Sequence, residues 1–137
     1  MWGNGNKAQT HKVDTLIGEN TVIQGDLVFK GGLHVDGKIN GNVIADGESS
    51  TVLVLSNKGA IEGEVRVPYQ VINGSITGDL HSLVCVELAS NARVKGNVYY
   101  NKIEMAMGAE VNGNLVHLDE AEKPLLTHNN AEQSAEH

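Results

Sequence analysis

The chain has 137 residues, and its ten Lys and Arg against seventeen Asp and Glu leave a formal net charge of −7 at pH 7. The length fits one ordinary domain, and the negative charge argues against a protein that grips nucleic acid, which needs a basic face. Aromatic residues make up 4% of the chain, too few for a platform that stacks single-stranded bases. No apolar run approaches the roughly 18 residues of a spanning helix and no signal peptide opens the chain, so we expect a cytoplasmic protein.

Composition divides the chain into three parts. Residues 1–15 are polar and contain Gly between Asn residues, which predicts a flexible N-terminal arm. Residues 16–118 are rich in short aliphatic clusters and Gly, which predicts a β domain with tight turns. Residues 119–137 form a polar, acidic tail that we expect to be disordered.

A five-residue pattern, [Ile/Val]-x-Gly-[Asp/Asn/Glu]-[Leu/Val], occurs six times in the central part. The copies occupy residues 23–27, 39–43, 61–65, 76–80, 94–98 and 111–115. Their starts are 16, 22, 15, 18 and 17 residues apart, and the longest interval contains a predicted surface insertion at 45–50. A period near 17 residues is too short for a strand and a helix, but it fits three short strands.

This repeat predicts a β-solenoid of six stacked coils, about 30 Å long at the usual strand spacing. We interpret each copy as one strand, in which the two aliphatic ends and the Gly between them point inward. The polar x position then forms an outward column, Gln24, Asn40, Glu62, Thr77, Lys95 and Asn112. The alternative is an antiparallel sandwich or meander, which also has short strands and Gly turns.

The ends of a solenoid are strand edges with unpaired backbone groups, and a soluble monomer must cap them. The sequence shows no convincing cap, although the pair Leu125 and Leu126 is a candidate for one. Uncapped ends predict stacking of one copy on another, and stacking without closure gives a filament. The residues that we predict at the polymer interface are Leu16, Ile17, Val22 and Phe29 at one end, and Val111, Leu115, Val116 and Leu118 at the other.

Residues 16–118 resemble the bactofilins, bacterial polymer-forming cytoskeletal proteins. The resemblance rests on Thr21-Val22-Ile23-Gln24-Gly25-Asp26-Leu27, on residues 35–43 and on the later Val-x-Gly-Asn copies. It implies a single-stranded, right-handed β-helix of triangular section that assembles end to end into non-polar filaments without nucleotide. It also implies a membrane-associated scaffold for cell shape, peptidoglycan synthesis or polar organisation. The acidic tail departs from family members with basic, Pro-rich termini.

The N-terminal arm resembles the short membrane-targeting arm of some bactofilins. Met1 and Trp2 suit the lipid interface and Lys7 suits anionic headgroups, so we predict contact with the inner face of the cytoplasmic membrane. One arm would bind weakly, but a filament displays many arms. The alternative is an arm whose Trp2 docks on the solenoid.

Enzyme chemistry finds little support in the sequence. Ile17-Gly18-Glu19-Asn20-Thr21-Val22 resembles one hexapeptide of the left-handed β-helix acyltransferases, which use a His as general base. We expect His34 and His81 on the surface of the coils. Glu64 and Asp79 are expected on the solvated face of the rod. We expect Cys85 to be a small buried residue. We therefore predict no catalytic residue, metal or cofactor. The remaining alternatives are the acyltransferase and a monomeric binding module.

Overall fold

The computed structural model describes residues 13–46 and 50–118, which contain β-strands and no helix. Each strand has two to four residues. In chain order the strands are β1 (Thr15–Ile17), β2 (Val22–Gln24), β3 (Leu27–Phe29), β4 (Gly32–Val35), β5 (Lys38–Asn40), β6 (Val43–Ala45), β7 (Val52–Leu55), β8 (Ala60–Glu62), β9 (Val65–Arg66), β10 (Tyr69–Ile72), β11 (Ser75–Thr77), β12 (Leu80–Ser82), β13 (Cys85–Leu88), β14 (Arg93–Lys95), β15 (Val98–Tyr100), β16 (Ile103–Met105), β17 (Glu110–Asn112) and β18 (Leu115–His117).

Each strand pairs with the strand three places later in the chain, so the described residues form three six-stranded parallel sheets. The first face is β1-β4-β7-β10-β13-β16, the second is β2-β5-β8-β11-β14-β17 and the third is β3-β6-β9-β12-β15-β18. Three consecutive strands make one triangular coil, from coil 1 (β1–β3) to coil 6 (β16–β18). The β-solenoid of about six coils is therefore confirmed, and the parallel pairing excludes the antiparallel sandwich.

The core is a set of inward columns in which equivalent residues of successive coils lie in register. On the second face Ile39 pairs with Ile61, and Ile61 with Ile76. All three are at most 1% exposed, and each such side chain contributes about 1.5–3 kcal/mol by leaving water. The predicted outward column from Gln24 to Asn112 is confirmed on the same strands.

The five-residue repeat is not one strand, which corrects our interpretation of it. In the first copy Ile23 and Gln24 end β2, Gly25 and Asp26 form a corner, and Leu27 opens β3. Gly25 has a φ of 120°, a conformation that L side chains rarely adopt, so the chain turns there. The aliphatic ends still face the core, but they lie on two different sheets.

A hydrogen bond between coils explains why Asp or Asn follows the corner Gly in the repeat. Asp26 Oδ1 accepts a hydrogen bond from the Asn42 amide at 2.9 Å, and Asn42 Oδ1 accepts one from the Glu64 amide at 2.9 Å. Further along, Asp79 Oδ1 accepts from the Asn97 amide at 2.9 Å. Each of these three side chains ties its own corner to the next coil.

One corner departs from the regular pattern. β9 has only two residues, and Pro68 follows it without a backbone donor. Gln70 replaces an aliphatic residue in an inward column, and its Nε2 donates to the carbonyls of Val67 and His81 at 3.0 and 3.1 Å. Ser82 Oγ donates to the Pro68 carbonyl at 2.7 Å. Of the predicted insertion at 45–50, residues 47–49 lie outside the described part.

Candidate assembly surfaces

The two ends of the rod are sheet edges. β1, β2 and β3 each pair with one strand of coil 2, and β16, β17 and β18 each pair with one strand of coil 5. Within residues 13–46 and 50–118, no strand covers either edge. Each end therefore presents a row of backbone groups that a further strand can pair with.

All eight residues of the predicted polymer interface lie at these ends. At the coil 1 end, Leu16 and Val22 are 62% and 54% exposed on the sides of the rod, whereas Ile17 and Phe29 are buried. At the other end the four residues lie in coil 6 or directly after it: Val111, Leu115, Val116 and Leu118. The Leu118 amide donates to the Tyr100 carbonyl at 2.6 Å. Their role in a polymer remains a prediction.

The apolar core is more open at the coil 6 end. Leu115 is 45% exposed, although Leu80 and Val98 in the same column are fully buried. Met105 is also 45% exposed, whereas its neighbour Leu88 is buried. The sequence did not single out Met105, because its inward direction follows only from the register of β16 on β13.

A group that sequence reasoning missed lies between coils 3 and 4. Ligand atoms of Glu64, Asp79 and His81 lie within 4.8 Å of one another, since coil stacking places Glu64 beside two residues that lie 15 and 17 positions later in the chain. Burial, with a smaller effect of Arg66, holds the pKa of His81 below its ordinary value. The guanidinium of Arg66 donates to Glu64 Oε1 at 2.9 and 3.1 Å. Arg66 therefore supplies the positive charge that pairs with Glu64.

The two candidate histidines lie on the outer surface, as expected. His34 is on the first face, where Nε2 lies 3.1 Å from Asp36 Oδ1. His81 is on the third face, where its ring stacks on Tyr99 with centroids 4.8 Å apart and an interplanar angle of 11°. The structure does not bring the two histidines together into one site.

Cys85 is half-buried and outward, which corrects the expectation of a buried residue. It opens β13, where Val86 and Leu88 take the inward positions. Burial, and then the nearby Glu87 and Glu104, raise the pKa of its thiol. A raised pKa disfavours the thiolate, the reactive form of cysteine.

The predicted membrane contacts Met1, Trp2 and Lys7 lie outside the described residues, as do Leu125 and Leu126. Among the residues that the structure does describe, no helix has the length and apolar character needed to cross a membrane.

Comparisons with known proteins match most of the chain. The family model described as "Bactofilin: Polymer-forming cytoskeletal" matches residues 15–116. The curated protein Bactofilin BacO of Myxococcus xanthus (strain DK1622) is 28% identical over 106 residues, which cover 77% of this chain and 81% of that protein. No solved structure matches the chain significantly.

Proposed function

The chain belongs to the bactofilin family of polymer-forming cytoskeletal proteins, and on this premise we propose that it is a non-enzymatic scaffold that assembles into filaments. In this proposal copies stack end to end, without nucleotide, into a non-polar polymer. The observation that carries it is the pair of sheet edges at coils 1 and 6, which no strand among the described residues covers.

In this proposal the assembly requires no nucleotide as a source of free energy. Inside the rod, each coil is stabilised by backbone pairing with its neighbours and by burial of its inward side chains. A copy that stacks on an open end gains the same two contributions, because the edge strands and the exposed Leu115 are already in place. Assembly therefore extends the interactions that hold the coils together.

We also propose that the filament lies on the inner face of the cytoplasmic membrane through Met1, Trp2 and Lys7. The chemistry of these residues supports this role, because Trp favours the lipid interface and Lys favours anionic headgroups. On the membrane the polymer would organise cell-envelope or cell-shape machinery, with peptidoglycan-synthesis or polar-organising proteins as partners. This part rests on the family and on the composition of the arm.

Sedimentation of the purified full chain tests the assembly. We expect the parent to pellet, and Leu115→Arg to stay in the supernatant with an unchanged β circular-dichroism spectrum. The substitution buries an unpaired charge in the joint, which costs about 3–5 kcal/mol. Leu83→Arg is the matched control, because Leu83 is 41% exposed in the middle of the rod, against 45% for Leu115. Equal pelleting of Leu115→Arg and the parent would contradict the proposed joint.

A further inference from the structure

The outward side of the third face carries two neighbouring columns of side chains. One column holds the residue after each corner Gly, and the other holds the outward residue two positions later. The second column is aliphatic near both ends of the rod and polar or aromatic in the middle: Val28, Ile44, Arg66, His81, Tyr99 and Val116. In the middle it meets the two acids Glu64 and Asp79 of the first column. The side of the rod therefore changes character between coils 3 and 4.

Glu64, Asp79 and His81 form a mixed donor set of two carboxylates and one imidazole. Their ligand atoms lie within 4.8 Å of one another. Atoms bound to one tetrahedral Zn²⁺ at about 2.0–2.1 Å lie about 3.4 Å from each other. Side-chain rotation closes this difference, because the side chain of Glu64 is 41% exposed and has room to turn. The three residues are thus within reach of a single ion.

Each of these side chains has an atom to offer. Arg66 directs both of its hydrogen bonds to Glu64 Oε1, and Asp79 accepts the Asn97 amide through Oδ1. These bonds leave Glu64 Oε2 and Asp79 Oδ2 for a ligand. His81 Nε2 is buried and hydrogen-bonds to no group within residues 13–46 and 50–118. A buried polar atom without a partner is uncommon because it is costly, and a metal ion would satisfy this nitrogen.

The ionisation of His81 suits the same role. Burial holds the pKa of His81 below its ordinary value, so the ring is neutral at pH 7.5. The neutral imidazole is the form that binds a metal.

We propose that Glu64, Asp79 and His81 bind a divalent transition-metal ion, with Zn²⁺ the best match, across coils 3 and 4. Imidazole together with carboxylates suits zinc and its neighbours, whereas Mg²⁺ and Ca²⁺ favour oxygen ligands alone. Three protein ligands leave one tetrahedral position for water. The two carboxylates offset the charge of the ion, and the nearby charge of Arg66 lowers the affinity without closing the site.

The ion would join two coils where their backbone pairing is short. β9 pairs with β12 through two residues, Val65 with Leu80 and Arg66 with His81. Beyond them the Val67 amide reaches the His81 carbonyl at 3.3 Å, against 3.0 Å from the Val65 amide to the Asp79 carbonyl. Because only the folded rod brings the ligands together, binding stabilises the rod by mass action. Zinc would therefore act as a clasp in the middle of the rod.

Competition for Zn²⁺ between the purified full chain and a chromophoric chelator at pH 7.5 tests the site. We expect the parent to bind Zn²⁺, and Asp79→Asn and His81→Gln to weaken this binding by about tenfold or more. Asp79→Asn is the gentler change, because Asn42 makes the same bond to the next coil from the equivalent corner. An excess of Mg²⁺ should not displace the zinc. Zn²⁺ should also raise the midpoint of thermal unfolding of the parent, and raise that of Asp79→Asn less.

Two control variants separate ligation from structure. Arg66→Gln removes a charge from the same group but no ligand, so zinc binding should be kept or strengthened. His34→Gln removes the other outward histidine with an acid beside it, and should leave the affinity unchanged. Circular dichroism shows that each variant is folded.

Three results would overturn the inference. Equal zinc affinity of the parent, Asp79→Asn and His81→Gln would mean adventitious binding only. A loss in Arg66→Gln as large as that in Asp79→Asn would reveal a structural effect, and displacement by Mg²⁺ would exclude the imidazole as a ligand. None of these results bears on the assembly of the rods.

Discussion

The main chain of Gly78 lies so close to the carbonyl oxygen of Gly63 that a side chain at position 78 would overlap it. The same relationship links Gly41 to Gly25 and Gly113 to Gly96. The corner glycines form a column along which successive coils touch through backbone alone. This contact requires Gly in the five later copies of the repeat, because a Cβ there would overlap the preceding coil, whereas a Cβ on Gly25 in the first copy meets no atom within 4 Å.

Gly78→Ala should destabilise the rod by about 2 kcal/mol or more, since it adds an overlap and strains a φ of 144°. Urea unfolding at concentrations below assembly measures the change. Gly18→Ala is the control, because a Cβ there meets no atom within 4 Å, and its free energy of unfolding should change by about 0.5 kcal/mol or less. Equal effects of the two substitutions would refute the steric explanation.

Gln70→Ala should lower the free energy of unfolding by about 2–4 kcal/mol. Gln70 is 1% exposed, and it supplies the hydrogen bonds to the Val67 and His81 carbonyls at the corner with Pro68. The substitution leaves a cavity, and the carbonyls of Val67 and His81 each lose one hydrogen bond. Thermal unfolding compares it with Thr77→Ala at an exposed position. A loss no larger than that of the control would show that Gln70 does not hold this corner.

The stability of the rod should fall below about pH 6.5 through His81. The unfolded chain protonates this histidine near its ordinary pKa of about 6.5, whereas burial in the fold lowers that pKa. The unfolded state then binds more protons, so stability is lost as the pH falls toward the lowered folded pKa. Urea unfolding from about pH 7.5 to about pH 5.5 should show a smaller loss for His81→Gln than for the parent. Equal slopes would contradict the prediction, and His128→Gln serves as the histidine control.

Trp2→Ala should reduce pelleting with anionic vesicles without reducing assembly. The Trp side chain contributes roughly a few kcal/mol of binding free energy at a lipid interface, and a filament multiplies that contribution because it displays many arms. Flotation of preassembled filaments with anionic vesicles separates membrane binding from polymer sedimentation. Undiminished flotation of the Trp2→Ala filaments would remove the arm from the membrane proposal.

The six-coil architecture could be predicted because the repeat recurs at nearly constant spacing, and stacked coils give all six aliphatic pairs inward positions. The sequence also placed the outward column from Gln24 to Asn112 correctly. It did not show that the repeat spans a corner, since alternation of residue types looks the same in a strand and across a two-residue turn. The positive φ of Gly25 decides between the two.

The details of the surface depended on register between distant residues. Coil 3 stacks on coil 4, and this contact brings Glu64 close to Asp79 and His81. No local sequence pattern indicates a contact between residues so far apart in the chain. The prediction that Cys85 is buried was wrong, because a strand with apolar residues on both faces does not indicate which side chains point outward.

Negative-stain electron microscopy of the purified full chain in physiological salt, with no nucleotide added, tests the central claim most directly. The open edges at coils 1 and 6 predict long, thin filaments one rod wide, and Leu115→Arg should abolish them. Uniform small particles in the parent sample would mean that the ends are capped, and would contradict assembly by end-to-end stacking.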